Sequence, residues 1–217
     1  MTELRQKKLL KFLEKENASF DVEMNDDYSF TKLNSNLLVI YEASNVFSVP
    51  ECNAISKYKF ELQDAQVHTG LKDDVRRSRI CWIPNNEYFW PVYHRIKKCV
   101  SFANQVYFDF DITRFDERIQ FTEYDESYTG HYGWHFDIGS SSRSCIRKLS
   151  VVVQLSNPLD YEGGDLEFSM DNDLVLKAPK TQGSIVIFPS YLRHRVTPVT
   201  KGLRRSLVTW ISGPPFR

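Results

Sequence analysis

The second half of this chain is a series of short segments typical of β-strands, separated by residues typical of turns. Residues 118–124 alternate in character with a period of two, as a half-buried strand does. Similar segments recur to the end of the chain, and we predict strands at 118–124, 132–138, 148–156, 164–169, 173–177, 184–188, 193–198 and 204–212. Turn residues separate them, namely Asn157-Pro158, Gly163-Gly164, Asp171-Asn172, Gln182-Gly183, Pro189-Ser190 and Lys201-Gly202. This density of short strands favours a sandwich, a barrel or a jelly roll.

The first half of the chain has a more helical pattern. Residues 1–17 and 87–107 carry apolar side chains at helical spacing, and another helix is expected to begin at Val49 with proline in its first turn. Shorter segments predict strands at 37–41 and 80–83 and a polar loop at 61–78. A length of 217 residues, 41% of them hydrophobic, suits one domain. We therefore predict a single domain over 1–217, with a helical support region containing short strands at 1–110 and a mainly β core at 111–217.

The composition excludes several classes of protein. Lys+Arg and Asp+Glu number 28 each, so the chain lacks the overall basic charge of many nucleic-acid-binding proteins. No apolar run approaches the roughly 20 residues of a membrane helix, and the N-terminal stretch lacks the apolar core of a secretory signal. The four cysteines are far apart and form no CxxC pair, which disfavours a zinc ribbon or a redox pair. We expect a protein of the reducing cytoplasm without a membrane partner; the sequence does not indicate an oligomeric state.

Two of the five histidines lie in a pattern suited to metal binding. Residues 131–137 have the sequence HYGWHFD, and on a strand His135 and Asp137 would point to the same face. His194, on a later strand, is a candidate third ligand. Two imidazoles and one carboxylate form the facial set that leaves open positions on non-haem Fe(II). An HxD pair alone occurs often by chance, so the prediction depends on the surrounding sequence.

An arginine, Arg204, follows His194 by ten residues. Arg204 and Ser206 would share one face of the final strand. A guanidinium beside a hydroxyl is a good receptor for a carboxylate, through bidentate pairing and one further hydrogen bond. The pair therefore indicates an acidic ligand close to the candidate metal site.

Taken together, these segments resemble the Fe(II)/2-oxoglutarate-dependent dioxygenases, and among them the prolyl/lysyl-hydroxylase-like (prolyl 4-hydroxylase-type) group. The order and spacing of several segments carry the resemblance, which covers about residues 75–213 and is strongest over 118–213. The segments are 120–124, 132–137 (YGWHFD), 148–156, 161–168 (YEGGDLEF), 183–189 (GSIVIFP) and 194–210 (HRVTPVTKGLRRSLVTW).

The resemblance implies a double-stranded β-helix, a cupin-like jelly roll, supported by N-terminal helices. It implies that the iron ligands are His135, Asp137 and His194, and that Arg204 holds the distal carboxylate of 2-oxoglutarate. Tyr124 matches a tyrosine that often hydrogen-bonds this cosubstrate, and Ser206 matches the R-x-S arrangement of some branches. The implied reaction uses dioxygen and 2-oxoglutarate to hydroxylate a C–H bond, with release of succinate and carbon dioxide. Ascorbate is a further candidate cofactor.

Several functions are compatible with this site. The preferred one is prolyl-type hydroxylation of an amino-acid side chain, in a protein or peptide or in a small molecule such as a free amino acid. The alternatives are a jelly-roll oxygenase acting on nucleic acid or a small metabolite, and a non-catalytic cupin-like metal-binding module. Trp210 stands where demethylating relatives usually carry a second arginine, which counts against nucleic acid. Val153 and Gln154 stand where some prolyl-hydroxylase relatives have tyrosines, which puts a strictly collagen-like or oxygen-sensor-like substrate in doubt.

Two further segments have two interpretations each. Residues 76–79 (RRSR) form either a patch for phosphate or an acidic substrate, or a solvated loop. Residues 140–147 form either a lid over the site or a surface loop. Trp134 and Phe136, which flank His135, are expected to face away from the metal and to pack.

Overall fold

The computed structural model describes residues 40–65, 74–170 and 174–215. The helix predicted at 1–17 and most of the strand predicted at 37–41 lie outside these ranges. The described strands are β1 (Tyr41–Ala43), β2 (Gln63–Asp64), β3 (Arg76–Arg77), β4 (Arg79–Trp82), β5 (Gln120–Asp125), β6 (His131–His135), β7 (Arg147–Gln154), β8 (Tyr161–Gly163), β9 (Leu166–Ser169), β10 (Val175–Lys177), β11 (Ile185–Pro189), β12 (His194–Val196) and β13 (Val199–Ser212). The α-helices are α1 (Val49–Lys57) and α2 (Trp90–Ala103), and a π-helical segment, Asn104–Phe108, continues α2.

The strands form two antiparallel sheets that pack face to face. The larger sheet has the order β1-β11-β7-β13-β5-β4-β2, with β8 paired to β13, and the smaller sheet has the order β10-β9-β12-β6-β3. Apolar side chains from both sheets, among them Tyr124, Val152, Phe168 and Val196, form a buried cluster between the sheets. This mainly β architecture is the jelly roll that the sequence predicted.

The alternation of side chains along the larger sheet separates the core from the site. On β7, Leu149, Val151 and Val153 join the apolar cluster that also contains residues of α1 and α2. The intervening side chains of β7 and the alternate residues of β13 face the smaller sheet. Successive side chains of a strand point to opposite faces of the sheet. Neighbouring residues of one strand therefore line the helix-facing core and the inter-sheet pocket in turn.

The two α-helices cover the outer face of the larger sheet. Ser48 and Glu51 form a capping box at the start of α1, and Pro50 lies in the first turn. Glu51 also bonds to Arg95 of α2 at 2.8 Å, which joins the two helices. None of the described helices is long and apolar enough to cross a membrane.

The prediction of a loop at 61–78 is wrong in part. This stretch contains β2, which pairs with β4 in the larger sheet, and β3, which pairs with β6 in the smaller sheet. Both strands are only two residues long and polar, so they lack the apolar alternation that identifies a strand from sequence. Short strands from the first half of the chain thus complete both sheets.

Candidate active site

The structure brings His135, Asp137 and His194 together at one end of the space between the sheets. His135 and His194 are direct partners in the pairing of β6 with β12. The Asp137 carboxylate lies 3.7 Å from Nε2 of His135 and 3.4 Å from Nε2 of His194. One ligand atom from each residue lies within 4.8 Å of the others, a spacing that could hold one metal ion.

Asp137 is positioned by its hydrogen bonds and not by the strand. The strand predicted at 132–138 ends at His135, so Asp137 lies in the bend that follows. Its backbone N–H donates to the Ser190 carbonyl at 3.0 Å, and its own carbonyl accepts from Nη1 of Arg147 at 3.0 Å. The Ser150 hydroxyl donates to Oδ2 at 2.6 Å. These bonds fix both the backbone and the carboxylate of the candidate ligand.

Both imidazoles are oriented by carbonyl groups behind them. Nδ1 of His135 lies 2.8 Å from the Gly133 carbonyl oxygen, and Nδ1 of His194 lies 2.8 Å from the Leu192 carbonyl oxygen. A carbonyl oxygen only accepts hydrogen bonds, so the tautomer that satisfies each contact carries its proton on Nδ1. Nε2 of each ring is then free to bind a metal.

The electrostatic environment favours the protonation states that metal binding requires. Burial and, to a smaller extent, the neighbouring His194 together lower the pKa of His135 to about 3. Burial acts to raise the pKa of Asp137, but His194, His135 and the Ser150 hydrogen bond outweigh it and lower the pKa to about 2. At neutral pH, His135 is therefore neutral and Asp137 is a carboxylate.

A β-bulge brings an unpredicted tyrosine beside the histidines. His194 pairs with His135, but Val196 pairs with Tyr132, so β6 holds one residue more than β12 over this interval. The bulge puts Tyr132 on the same side as His135, and the two rings stack with centroids 3.5 Å apart. Gly133 within the segment is the available sequence signal, since glycine in a strand often marks a bulge.

The second half of the site lies on the larger sheet around Arg204, whose side chain is only 1% exposed. Its Nη2 donates to Oε1 of Gln154 at 3.0 Å, and its guanidinium lies 5.3 Å from the ring centroid of Tyr124. Among the described residues, Nε and Nη1 of Arg204 and the hydroxyl of Ser206 have no hydrogen-bond partner. A buried guanidinium with unused donors is costly unless an anion binds to it.

One pocket contains both halves of the site. Its lining includes all six candidate site residues from the sequence, namely Tyr124, His135, Asp137, His194, Arg204 and Ser206. The other lining residues include apolar groups and three polar or aromatic residues, two of which sequence reasoning missed. The apolar groups are Val152, Leu166, Val196 and Val208, and the residues that sequence reasoning missed are Gln120 and Tyr132. Arg76, from the segment with two interpretations at 76–79, also lines the pocket. Trp210, noted in the sequence only as a departure from nucleic-acid-modifying relatives, also lines the pocket.

Trp134, Phe136 and residues 140–147 lie in the segments that follow or flank His135. Trp134 packs under Arg195, with the guanidinium carbon 4.6 Å from the ring centroid. The packing expected for Phe136 is wrong, because this side chain is 55% exposed. Residues 140–147 contain a short 3₁₀ turn, Ser144–Ile146, and the hydroxyls of Ser141 and Ser144 lie 2.6 Å apart. A lid function of this segment stays a prediction.

Comparison with known proteins gives a family match for the core of the chain. Residues 119–212 match the model of the 2OG-Fe(II) oxygenase superfamily. The chain is 38% identical over 81 residues to a PKHD-type hydroxylase of Synechococcus sp. (strain CC9902), an alignment that covers 37% of this chain and 35% of that protein. It is 41% identical over 86 residues to a PKHD-type hydroxylase of Hyphomonas neptunium, covering 37% of each. The chain thus aligns with little more than a third of the length of these relatives.

Solved structures share the fold at lower identity. A prolyl-4-hydroxylase of Pseudomonas putida superposes with a TM-score of 0.63 at 21% identity, covering 81% of this chain and 93% of that one. A prolyl hydroxylase of Trichoplax adhaerens, in complex with a peptide fragment of hypoxia inducible factor, superposes with a TM-score of 0.66 at 16% identity. That alignment covers 98% of this chain and 94% of the Trichoplax chain.

Proposed function

We propose that this protein is an Fe(II)- and 2-oxoglutarate-dependent dioxygenase, because residues 119–212 match the model of the 2OG-Fe(II) oxygenase superfamily. Its proposed reaction hydroxylates an amino-acid side chain of the prolyl type, in a protein or peptide or in a free amino acid. Succinate and carbon dioxide are the co-products, and ascorbate is included as a reductant.

The observation that carries the proposal is the unsatisfied guanidinium of Arg204. Two of its nitrogens are buried without acceptors among the described residues, and the Ser206 hydroxyl beside it is in the same condition. The pocket that they line also contains the cluster of two histidines and one aspartate. A dicarboxylate with a keto group satisfies both ends of such a pocket, since one end needs an anion and the other offers a metal site.

Each residue has a proposed role in this reaction. His135, Asp137 and His194 would hold Fe(II), which together with 2-oxoglutarate supplies the oxidising chemistry when bound. Arg204 and Ser206 would bind the distal carboxylate, and Tyr124, under the guanidinium, would contact the cosubstrate. Val152, Leu166 and Val208 line the same pocket and would help to exclude water from the bound cosubstrate.

We also propose a substrate class, a peptide or a free amino acid, and a location in the cytoplasm. The Trichoplax structure contains a peptide, which supports a peptidyl substrate, and a free amino acid is its smaller counterpart. All four cysteines are free, which agrees with a reducing cytoplasm. Fe(II) chemistry suits the same compartment.

Anaerobic titration tests the cofactor assignment. Fe(II) and 2-oxoglutarate added to metal-free protein should give the weak visible charge-transfer band of the chelate. His135→Ala and Arg204→Ala should each weaken or remove the band. Arg205→Ala is the matched control, because Arg205 lies on the same strand but pairs with Glu123 at 3.0 Å and does not line the pocket.

If the band forms, screening of peptides and amino acids for coupled succinate release follows. Absence of both the band and any affinity for 2-oxoglutarate would overturn the proposed function.

A further inference from the structure

A second arginine lines the same pocket near the histidines. Arg76 lies on β3 and pairs with Tyr132 on β6. Its guanidinium carbon is 4.6 Å from the centroid of the Tyr132 ring, which in turn stacks on His135. The positive charge of Arg76 is thus separated from a candidate iron ligand by one aromatic ring.

Among the described residues, the hydrogen-bond partners of Arg76 do not compensate its charge. Nε donates to the Ser78 hydroxyl at 2.8 Å, and Nη2 donates to Oε1 of Gln120 at 2.9 Å. Both acceptors are neutral, and a guanidinium carries more N–H donors than these two bonds use. Within 40–65, 74–170 and 174–215, no carboxylate lies within ion-pairing distance of Arg76.

Three other arginines on the surrounding strands differ in this respect. They have glutamate partners at 2.6 to 3.0 Å, the pairs being Arg147 with Glu117, Arg195 with Glu167 and Arg205 with Glu123. Arg76 and Arg204 are the described arginines that line the pocket, and neither has such a partner. Since Arg204 is assigned to the cosubstrate, Arg76 remains available for a different anion.

The charges of the filled pocket lead to the same conclusion. Under the proposed function, the carboxylates of Asp137 and 2-oxoglutarate balance the charges of Fe(II) and Arg204. Arg76 would then remain as an unbalanced positive charge in a partly buried position close to a metal cation. Such a charge is stabilised by an anion that enters with the remaining ligand, which is the primary substrate.

We propose that Arg76 binds a carboxylate of the primary substrate and thereby selects substrates with a carboxylate close to the carbon that is hydroxylated. The proposal rests on the proposed function and specifies its substrate class. The carboxylate can be the α-carboxylate of an amino acid or an acidic side chain in a peptide, and the two sources are separable by experiment. Of the four-residue segment 76–79, it is Arg76 that reaches the pocket.

Binding to the anaerobic holoprotein tests the proposal without turnover. Protein loaded with Fe(II) and 2-oxoglutarate, and checked by its chelate band, is titrated calorimetrically with two matched pairs of probes. N-acetyl-L-proline against N-acetyl-L-prolinamide tests the α-carboxylate, and acetyl-Pro-Glu-amide against acetyl-Pro-Gln-amide tests the acidic side chain. We expect the acidic member of at least one pair to bind about tenfold or more tightly than its neutral partner.

Substitutions assign the preference to the guanidinium. Arg76→Gln should abolish the difference between acidic and neutral probes, and Arg76→Lys should retain part of it because the charge remains. Arg79→Gln is the control, since Arg79 is exposed and does not line the pocket, and its guanidinium donates a 3.5 Å bond to the Leu62 carbonyl. It should bind the probes as wild type does.

The outcomes separate the two proposals. A chelate band with equal binding of acidic and neutral probes overturns the role of Arg76 and leaves the proposed function standing. A preference that survives in Arg76→Gln also overturns it. Absence of the band in wild type overturns the proposed function, and the substrate role of Arg76 with it.

Discussion

The Ser150 hydroxyl donates a 2.6 Å hydrogen bond to Oδ2 of Asp137, and the same hydroxyl oxygen lies 3.0 Å from that of Ser190. Ser150 belongs to the larger sheet, whereas Asp137 follows the strand of the smaller sheet that ends at His135. The carboxylate of the candidate metal ligand is therefore oriented from the opposite layer of the fold.

Removal of this hydrogen bond should weaken metal binding. We expect Ser150→Ala to lower the affinity for Fe(II) by about tenfold or more, because a carboxylate without its orienting donor loses its fixed geometry. Metal competition with a chelator under anaerobic conditions measures the affinity. Ser101→Ala, at an exposed position of α2, is the control. An unchanged affinity in Ser150→Ala would show that the backbone bonds of Asp137 are sufficient.

Replacement of Arg204 by an apolar residue should weaken ligand binding without a loss of folding stability. In Arg204→Met we expect the free energy of unfolding of the ligand-free protein to stay within about 1 kcal/mol of wild type or to rise, because an unpaired buried charge is removed. The same variant should lose the increase in melting temperature that 2-oxoglutarate with metal gives to wild type. Thermal unfolding with and without both ligands measures the two effects. Stabilisation by 2-oxoglutarate in Arg204→Met equal to that in wild type would argue against Arg204 as its binding residue.

Alanine substitutions at the adjacent residues Gly163 and Gly164 should have different effects. A Cβ on Gly164 would lie 2.8 Å from Cδ of Arg204, whereas a Cβ on Gly163 would lie 2.0 Å from the Pro198 carbonyl oxygen. Both residues have positive φ, so each alanine variant carries some backbone strain. We expect Gly164→Ala to fold and to bind 2-oxoglutarate about tenfold more weakly, since the arginine has to move.

For Gly163→Ala we expect a loss of folded protein, because a backbone carbonyl cannot move aside as a side chain can. Circular dichroism and 2-oxoglutarate titration distinguish the two variants. Equal effects of both substitutions on folding and binding would contradict a specific effect of Gly164→Ala on the position of Arg204.

The protonation of His135 should make the metal-free protein sensitive to acid. Its pKa is lowered from 6.5 to about 3 in the folded state, so the unfolded chain binds a proton more readily below pH 6.5. The stability gained from the neutral imidazole is present above about pH 6.5 and is lost as the pH falls toward 3. Between pH 7 and pH 5 we expect a loss of about 2 kcal/mol from this group. Urea unfolding of wild type and His135→Asn at both pH values measures it, and an equal pH dependence in the two proteins would refute it.

The sequence was most informative where local chemistry determines structure. The turn residues and the alternation in 118–124 identified strands because each strand has one face toward the helices and one toward the pocket. The spacing of His135 and Asp137 indicated a metal cluster, and the structure brings them together with His194. Their function as iron ligands stays a prediction of the proposed mechanism.

Features that depend on pairing between distant strands were missed. Tyr132 enters the pocket through a bulge, which is a property of the register between β6 and β12 and not of either segment alone. Gln154 contacts Arg204 across 50 positions of sequence, so no local pattern connects them. Asp137 was assigned to a regular strand, although Ser150 and Ser190 hold it beyond the strand's end.

The two ends of the pocket belong to different layers of the jelly roll. His135 and His194 lie on the smaller sheet, whereas Arg204, Ser206 and Gln154 lie on the larger one. A ligand that reaches from the metal cluster to the guanidinium therefore acts as a crosslink between the layers. Occupancy of the pocket would then slow the separation of the sheets, and the lifetime of the folded protein in a cell would follow the local supply of metal and keto acid.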